Sequence, residues 1–125
     1  MLTRLTENFS LEEFHCHDGT SVPADLMYNI RKLTENLQIL RDAINIPITI
    51  LSGYRTLGYN AKVGGKKASK HLTAQAADIV TRVHTPQQLA YIIEGLIKEK
   101  KMQQGGIGIY PSFVHYDVRG TKARW

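Results

Sequence analysis

Near the end of the chain, in Phe113-Val114-His115-Tyr116-Asp117-Val118-Arg119, charged or ionisable residues alternate with apolar or aromatic ones from Val114 onward. Successive side chains of an extended strand point to opposite faces, so Val114, Tyr116 and Val118 share one face and Phe113, His115, Asp117 and Arg119 the other. An exposed strand face would account for any one of those polar groups, but less well for all three together. The segment therefore demands a sheet with a core on one side and a polar cleft on the other.

A second stretch, Ser69-Lys70-His71-Leu72-Thr73-Ala74-Gln75-Ala76-Ala77-Asp78, supplies what the cleft could hold. His71, Asp78 and His115 offer two imidazole nitrogens and one carboxylate oxygen. That is the donor count a catalytic zinc uses while keeping one coordination position open for water, and it points to a zinc hydrolase. Ala76 to Val80 reads as a strand. Were that strand unbroken back to His71, His71 and Asp78 would face opposite ways, so Leu72 to Gln75 must bend.

Ser52-Gly53-Tyr54-Arg55, Asn60 and Gly64-Gly65 precede the first histidine, and Gly105-Gly106-Ile107-Gly108-Ile109-Tyr110 precedes the second. The arrangement resembles the zinc D-Ala-D-Ala metallopeptidase family, in the branch of small peptidoglycan-cleaving carboxypeptidases and endopeptidases. The likeness runs from Phe9 to the closing Lys122-Ala123-Arg124-Trp125. It implies that His71, Asp78 and His115 are zinc ligands, that Arg55 contacts a carboxylate or carbonyl of the peptide, and that the fold is hedgehog/DD-peptidase-like. A surface ion pair is the competing role for Arg55.

Two departures stand out. The family usually has glycine where this chain has Ala74, and alanine resists the positive φ such a turn can need. Related enzymes commonly place an acidic residue three positions before the final histidine, where this chain has Ser112, which cannot act as a base. Asp117 is then the nearest carboxylate able to face the metal, as general base or as partner of a ligand histidine. The base is the favoured role, with His84 and Glu13 as further candidates.

With 125 residues the chain is expected to form one domain, 1–125, with a single core. A net charge of +5 and a pI near 9.4 favour anionic partners. The basic residues are dispersed and few aromatics lie between them, which argues against nucleic acid and for the anionic cell wall. Cys16 has no partner for an intrachain disulfide. His15-Cys16-His17 invites a metal, yet neighbours in a loop rarely converge, so Asp18-Gly19 is read as a turn. The opening Met1 to Asn8 lacks the apolar region of a signal peptide, and no run reaches the ~18 apolar residues of a membrane span. Access to the wall is expected through a phage or prophage lysis system or from a trimmed chain, and the protein is expected to be a monomer.

Around the site, Phe9-Ser10-Leu11-Glu12-Glu13-Phe14 has the form of a capping box. Leu26, Ile30, Leu33, Leu37, Leu40 and Ile44 make one apolar stripe on a helix led by Pro23 and ending near Asn45. Ile48 to Leu51 reads as a strand, and Gly53 to Lys70 as a glycine-rich, substrate-facing loop. Thr85-Pro86 opens a second helix with Leu89, Ile92, Ile93, Leu96 and Ile97 buried, and Lys98 to Lys101 form its solvated end. Two strands follow, Gly106 to Tyr110 and Phe113 to Val118, and the tail is expected to fasten by burial of Trp125. The fold class is α+β, a small antiparallel β-sheet with two long helices packed on one side. Three function classes fit: a zinc peptidase acting on peptidoglycan stem peptides or cross-links, a catalytically inactive cell-wall-binding or structural module that retains the zinc, and a basic nucleic-acid-binding domain supported by charge alone.

Overall fold

The stripe from Leu26 to Ile44 becomes helix α1, Met27–Ile44, in the computed structural model, which describes residues 2–125; Met1 lies outside them. Pro23 leads into a short 3-10 turn, Ala24–Leu26, before the helix proper. Ile30, Leu33, Leu37 and Leu40 are all fully buried, so the stripe ties the helix to the core. Asn45 ends it with φ at 52°, a left-handed conformation asparagine adopts more readily than most residues.

Helix α3, Pro86–Lys98, starts at the anticipated cap. The Thr85 hydroxyl oxygen accepts from the Gln88 backbone N–H at 3.1 Å, and the Gln88 side chain accepts from the Thr85 N–H at 2.8 Å. Two donors that a helix end leaves without partners are thereby satisfied. A third helix, α2 (Leu57–Lys62), lies inside the glycine-rich segment, capped by the Thr56 hydroxyl. The sequence reading as a loop missed it because six residues are too few to display a helical period.

Five strands, β1 (Thr49–Ser52), β2 (Ala76–Val80), β3 (Gly106–Ile109), β4 (Val114–Asp117) and β5 (Ala123–Arg124), form a sheet in the order β1-β2-β4-β3-β5. The first four pair antiparallel, as expected. The tail corrects the picture in two ways: β5 joins β3 in parallel, and Trp125 is not buried but 41% exposed. What fastens the tail is the backbone ladder, with Trp125 O accepting from Ile109 N at 2.8 Å, together with the Arg124 to Glu94 ion pair. These contacts also cover an edge of β3 that would otherwise present unpaired backbone groups.

Ala77, Ile79, Ile107, Val114 and Tyr116 turn one face of the sheet to the core, where they join the stripe of α1 and Leu89, Ile93 and Leu96 of α3. Both long helices thus cover the same face, and Asp78, His115 and Asp117 are left on the other. Among the described residues no helix is long and apolar enough to cross a membrane.

Between His71 and β2 the chain bends as the spacing required, through a 3-10 turn at Lys70–Thr73 and Ala74 at φ 58°. Ala74 is fully buried. Its left-handed backbone costs roughly 1–2 kcal/mol, which nearly matches the ~0.8 kcal/mol of its buried methyl plus the ~0.5–1 kcal/mol that a glycine loses in chain entropy. Ala74→Gly should therefore shift the urea-unfolding free energy by less than about 1 kcal/mol, while Ala77→Gly, buried in β2, should lose about 1–2 kcal/mol. Equal losses at the two positions would show that Ala74 carries no backbone cost.

Candidate metal centre

Asp78 and His115 are direct cross-strand partners of β2 and β4, so their side chains leave the same face of the sheet side by side. The bend before β2 returns His71 to that face. The three donor atoms lie within 4.8 Å of one another and all three residues are buried. His71 Nε2 is 3.3 Å and His115 Nδ1 3.4 Å from the same oxygen, Asp78 Oδ1.

The outer nitrogens fix the tautomers. His71 Nδ1 lies 2.7 Å from the Gly53 carbonyl oxygen, which can only accept, so Nδ1 carries the proton. His115 Nε2 lies 2.7 Å from Asp117 Oδ2, and the same reasoning gives it the proton. In the neutral rings, two nitrogen lone pairs then face one carboxylate oxygen, an arrangement that is favourable only with a cation or a proton between them. Imidazole, imidazole and carboxylate fit a metal ion, with the outer hydrogen bonds that ligating histidines usually make.

The charges around the centre reinforce one another. Burial pushes the Asp78 carboxyl upward, but the imidazoles of His115 and His71 more than offset this and hold it well below the usual carboxylate range. Burial likewise opposes the charged form of His115, and Asp117 and Asp78 outweigh it, raising the imidazole above its ordinary value. Asp117 is buried too, yet His115, Arg119 and the Gly106 N–H keep it ionised far below the normal range.

Asp117 is fully enclosed, and both its oxygens are taken. Oδ1 accepts from Gly106 N at 2.9 Å, from Arg119 N at 3.1 Å and from Arg119 Nε at 2.9 Å, while Oδ2 accepts from Arg119 Nη2 and His115 Nε2, each at 2.7 Å. A Cβ at Gly106 would stand 2.3 Å from Oδ2, so glycine is needed for this approach. Asp117 thus meets His115 from behind, on the side away from Asp78.

Arg55 follows β1 and forms part of the cleft wall. Its Nη2 is 3.2 Å from Asp78 Oδ2, Nε donates to Ser52 Oγ and Nη1 to Asn60 Oδ1. The acid it pairs with is therefore the buried Asp78 rather than one on the surface. Asp78 consequently divides its oxygens, Oδ1 towards the histidines and Oδ2 towards the arginine.

The cleft beside the centre holds about 630 Å³, and Asp78 is the one carboxylate among its lining residues. Ser112 does not line it. His84 is hydrogen-bonded to Thr81 and borders a separate hollow against α3, and Glu13 closes its capping box on Ser10; neither is brought to the centre. The loop of His15 and His17 gathers no metal-binding group among the described residues. Sequence reasoning missed the Gly53 carbonyl, which carries no side-chain signal, and the grip of Arg119 and Gly106 on Asp117; the Arg119 part was visible in the strand alternation.

Comparison with known proteins places the chain in a family. No curated protein matches the chain in sequence. Among solved structures, the L-Ala D-Glu endopeptidase ChiX of Serratia marcescens is similar in fold, with a TM-score of 0.51 at 17% identity over 78% of this chain and 88% of that one. The model of the Peptidase M15 family matches residues 7–117, a span that includes His71, Asp78 and His115, and the chain therefore belongs to the peptidase M15 family.

Proposed function

We propose that the chain is a zinc-dependent peptidase that hydrolyses peptide bonds in the stem peptides or cross-links of bacterial peptidoglycan, with His71, Asp78 and His115 as zinc ligands. The observation that carries this reading is the pair of locked imidazole tautomers, whose free nitrogens converge on one oxygen of a buried carboxylate. When bound, zinc lowers the pKa of a coordinated water to about 7 and polarises the scissile carbonyl. The chain's own residues prepare that chemistry. Gly53 and Asp117 orient the two rings, and Arg55 holds Asp78 so that one oxygen stays directed at the histidines. The cations lining the cleft draw an anionic peptide towards it.

Family membership supports peptide hydrolysis, and the net charge of +5 supports an anionic wall substrate. The similar Serratia structure is that of an endopeptidase, which favours this activity over that of a D,D-carboxypeptidase. Digestion of purified peptidoglycan followed by mass analysis tests this directly. Stem-peptide fragments should be released only when zinc is supplied, and their masses identify the bond. A second reading, the same zinc-holding fold without hydrolysis, has one observation in its favour: among the described residues Asp78, already engaged by His71, His115 and Arg55, is the one side-chain carboxylate that lines the cleft. An intact polymer after prolonged digestion with the zinc-loaded protein would select it.

About one zinc per chain should be measured by elemental analysis, and His71→Ala should lose it. Undiminished zinc in that variant would contradict the ligand set. For Asp117 the enclosed, fully bonded carboxylate favours a positioning role over that of base. Asp117→Asn should then weaken zinc affinity by ~10–100-fold, with activity returning in excess zinc. Normal zinc content with turnover reduced by ~10²–10⁴-fold would instead make Asp117 the base.

A further inference from the structure

Trp125 continues the path of β5 and is seated over Gly108, where a Cβ would lie 2.4 Å from the indole. Its Nε1–H donates to the Tyr110 hydroxyl at 2.9 Å, and its ring centroid is 4.9 Å from that of His115. The indole is thus fixed from below and at its edge, yet Trp125 stays 41% exposed and lines the cleft. A large apolar ring held open beside a candidate metal ligand is a contact surface for whatever enters.

Two cations flank that ring, the Arg119 guanidinium at 5.4 Å and the Lys66 ammonium at 5.6 Å from its centroid. They are not equivalent. Arg119 is committed to Asp117, as Arg55 is to Asp78 and Arg124 to Glu94. Among the described residues Lys66 takes part in no ion pair. Its backbone is nevertheless anchored: the Lys66 carbonyl accepts from the buried Asn60 side chain at 2.9 Å and from Ser69 N at 3.1 Å. Because Asn60 also accepts from Arg55, the position of Lys66 is tied to the network that holds Asp78.

We propose that Lys66 and Trp125 form a subsite, on the His115 side of the cleft, for a carboxylate-bearing residue of the peptide, and that this subsite sets substrate preference. The ammonium pairs with the carboxylate while the indole covers the aliphatic stem that carries it. The proposal deepens, and rests on, the reading of the cleft as a peptidase site. An uncharged amide in place of the carboxylate keeps the shape of the peptide and loses the ionic contact.

The test compares two synthetic stem-type peptides, identical except that the glutamate next to the scissile bond carries a free α-carboxylate in one and an amide in the other. Cleavage is followed by chromatography, and binding by the fluorescence of Trp125, the one tryptophan of the chain. The carboxylate peptide should have the higher kcat/KM by about tenfold, through KM, as expected for a hydrogen bond to a charged group in a partly exposed site. In Lys66→Met that ratio should fall towards one, and Lys66→Arg should retain it. The carboxylate peptide should also perturb the fluorescence, at a concentration that rises about tenfold in Lys66→Met. Equal kcat/KM for the two peptides, or a ratio that survives Lys66→Met, would overturn the subsite and leave hydrolysis standing. A fluorescence response that favours the carboxylate and weakens in Lys66→Met, without cleavage, would uphold the subsite and remove the catalytic reading. No cleavage and no response would remove both.

Discussion

Asp78 is a carboxylate buried in the sheet with one oxygen facing two imidazoles and the other facing a guanidinium. Taking such a charge out of water is expensive unless its partners are already in place, because an unpaired buried carboxylate would take up a proton instead. The surrounding structure meets that demand in layers. The register of β2 on β4 sets His115 beside it, the turn ending at Ala74 brings His71 back, and Arg55 arrives from the end of β1. Behind these stand the Gly53 carbonyl and Asp117, which in turn needs Arg119 and the missing side chain at Gly106. A histidine in the right place but free to rotate would offer either nitrogen; here each ring has one nitrogen already engaged. Pre-organisation of this kind is what a cation site built from three side chains requires.

The same strands that hold the centre also build the cleft beside it. Parallel addition of β5 carries Trp125 over Gly108 and against His115, so the end of the described chain becomes a wall of the site rather than a loose tail. Helix α2 is short, but its cap Thr56 also donates to Asp18, and its Asn60 fastens both Arg55 and the backbone of Lys66. That arrangement ties the Asp18 turn and the glycine-rich segment to the wall of the cleft.

Much of this was legible in residue order, for identifiable reasons. Both long helices announced themselves through apolar spacing and through caps, and Thr85-Pro86 marked a start that the structure reproduces. The alternation on Phe113 to Arg119 separated core from cleft because a sheet has only two faces. The need for a bend before Asp78 followed from the same geometry. What stayed hidden depends on contacts that side-chain order does not encode. α2 is too short for a period, β5 is a two-residue strand recruited by an open edge, and the tautomer of His71 is set by a backbone carbonyl. Asp117 could be placed on the polar face, but its complete enclosure comes from Gly106 and from Arg119 folding back upon it.

X-ray absorption spectroscopy of the zinc-loaded chain tests the ligand set of His71, Asp78 and His115, because it reads the atoms bound to the metal. With those ligands the shell should consist of light atoms alone, nitrogen and oxygen at ~2.0–2.2 Å, with the outer-shell signature of two imidazoles. A sulfur contribution at ~2.3 Å, which would place Cys16 on the metal, or a shell without imidazole, would contradict it.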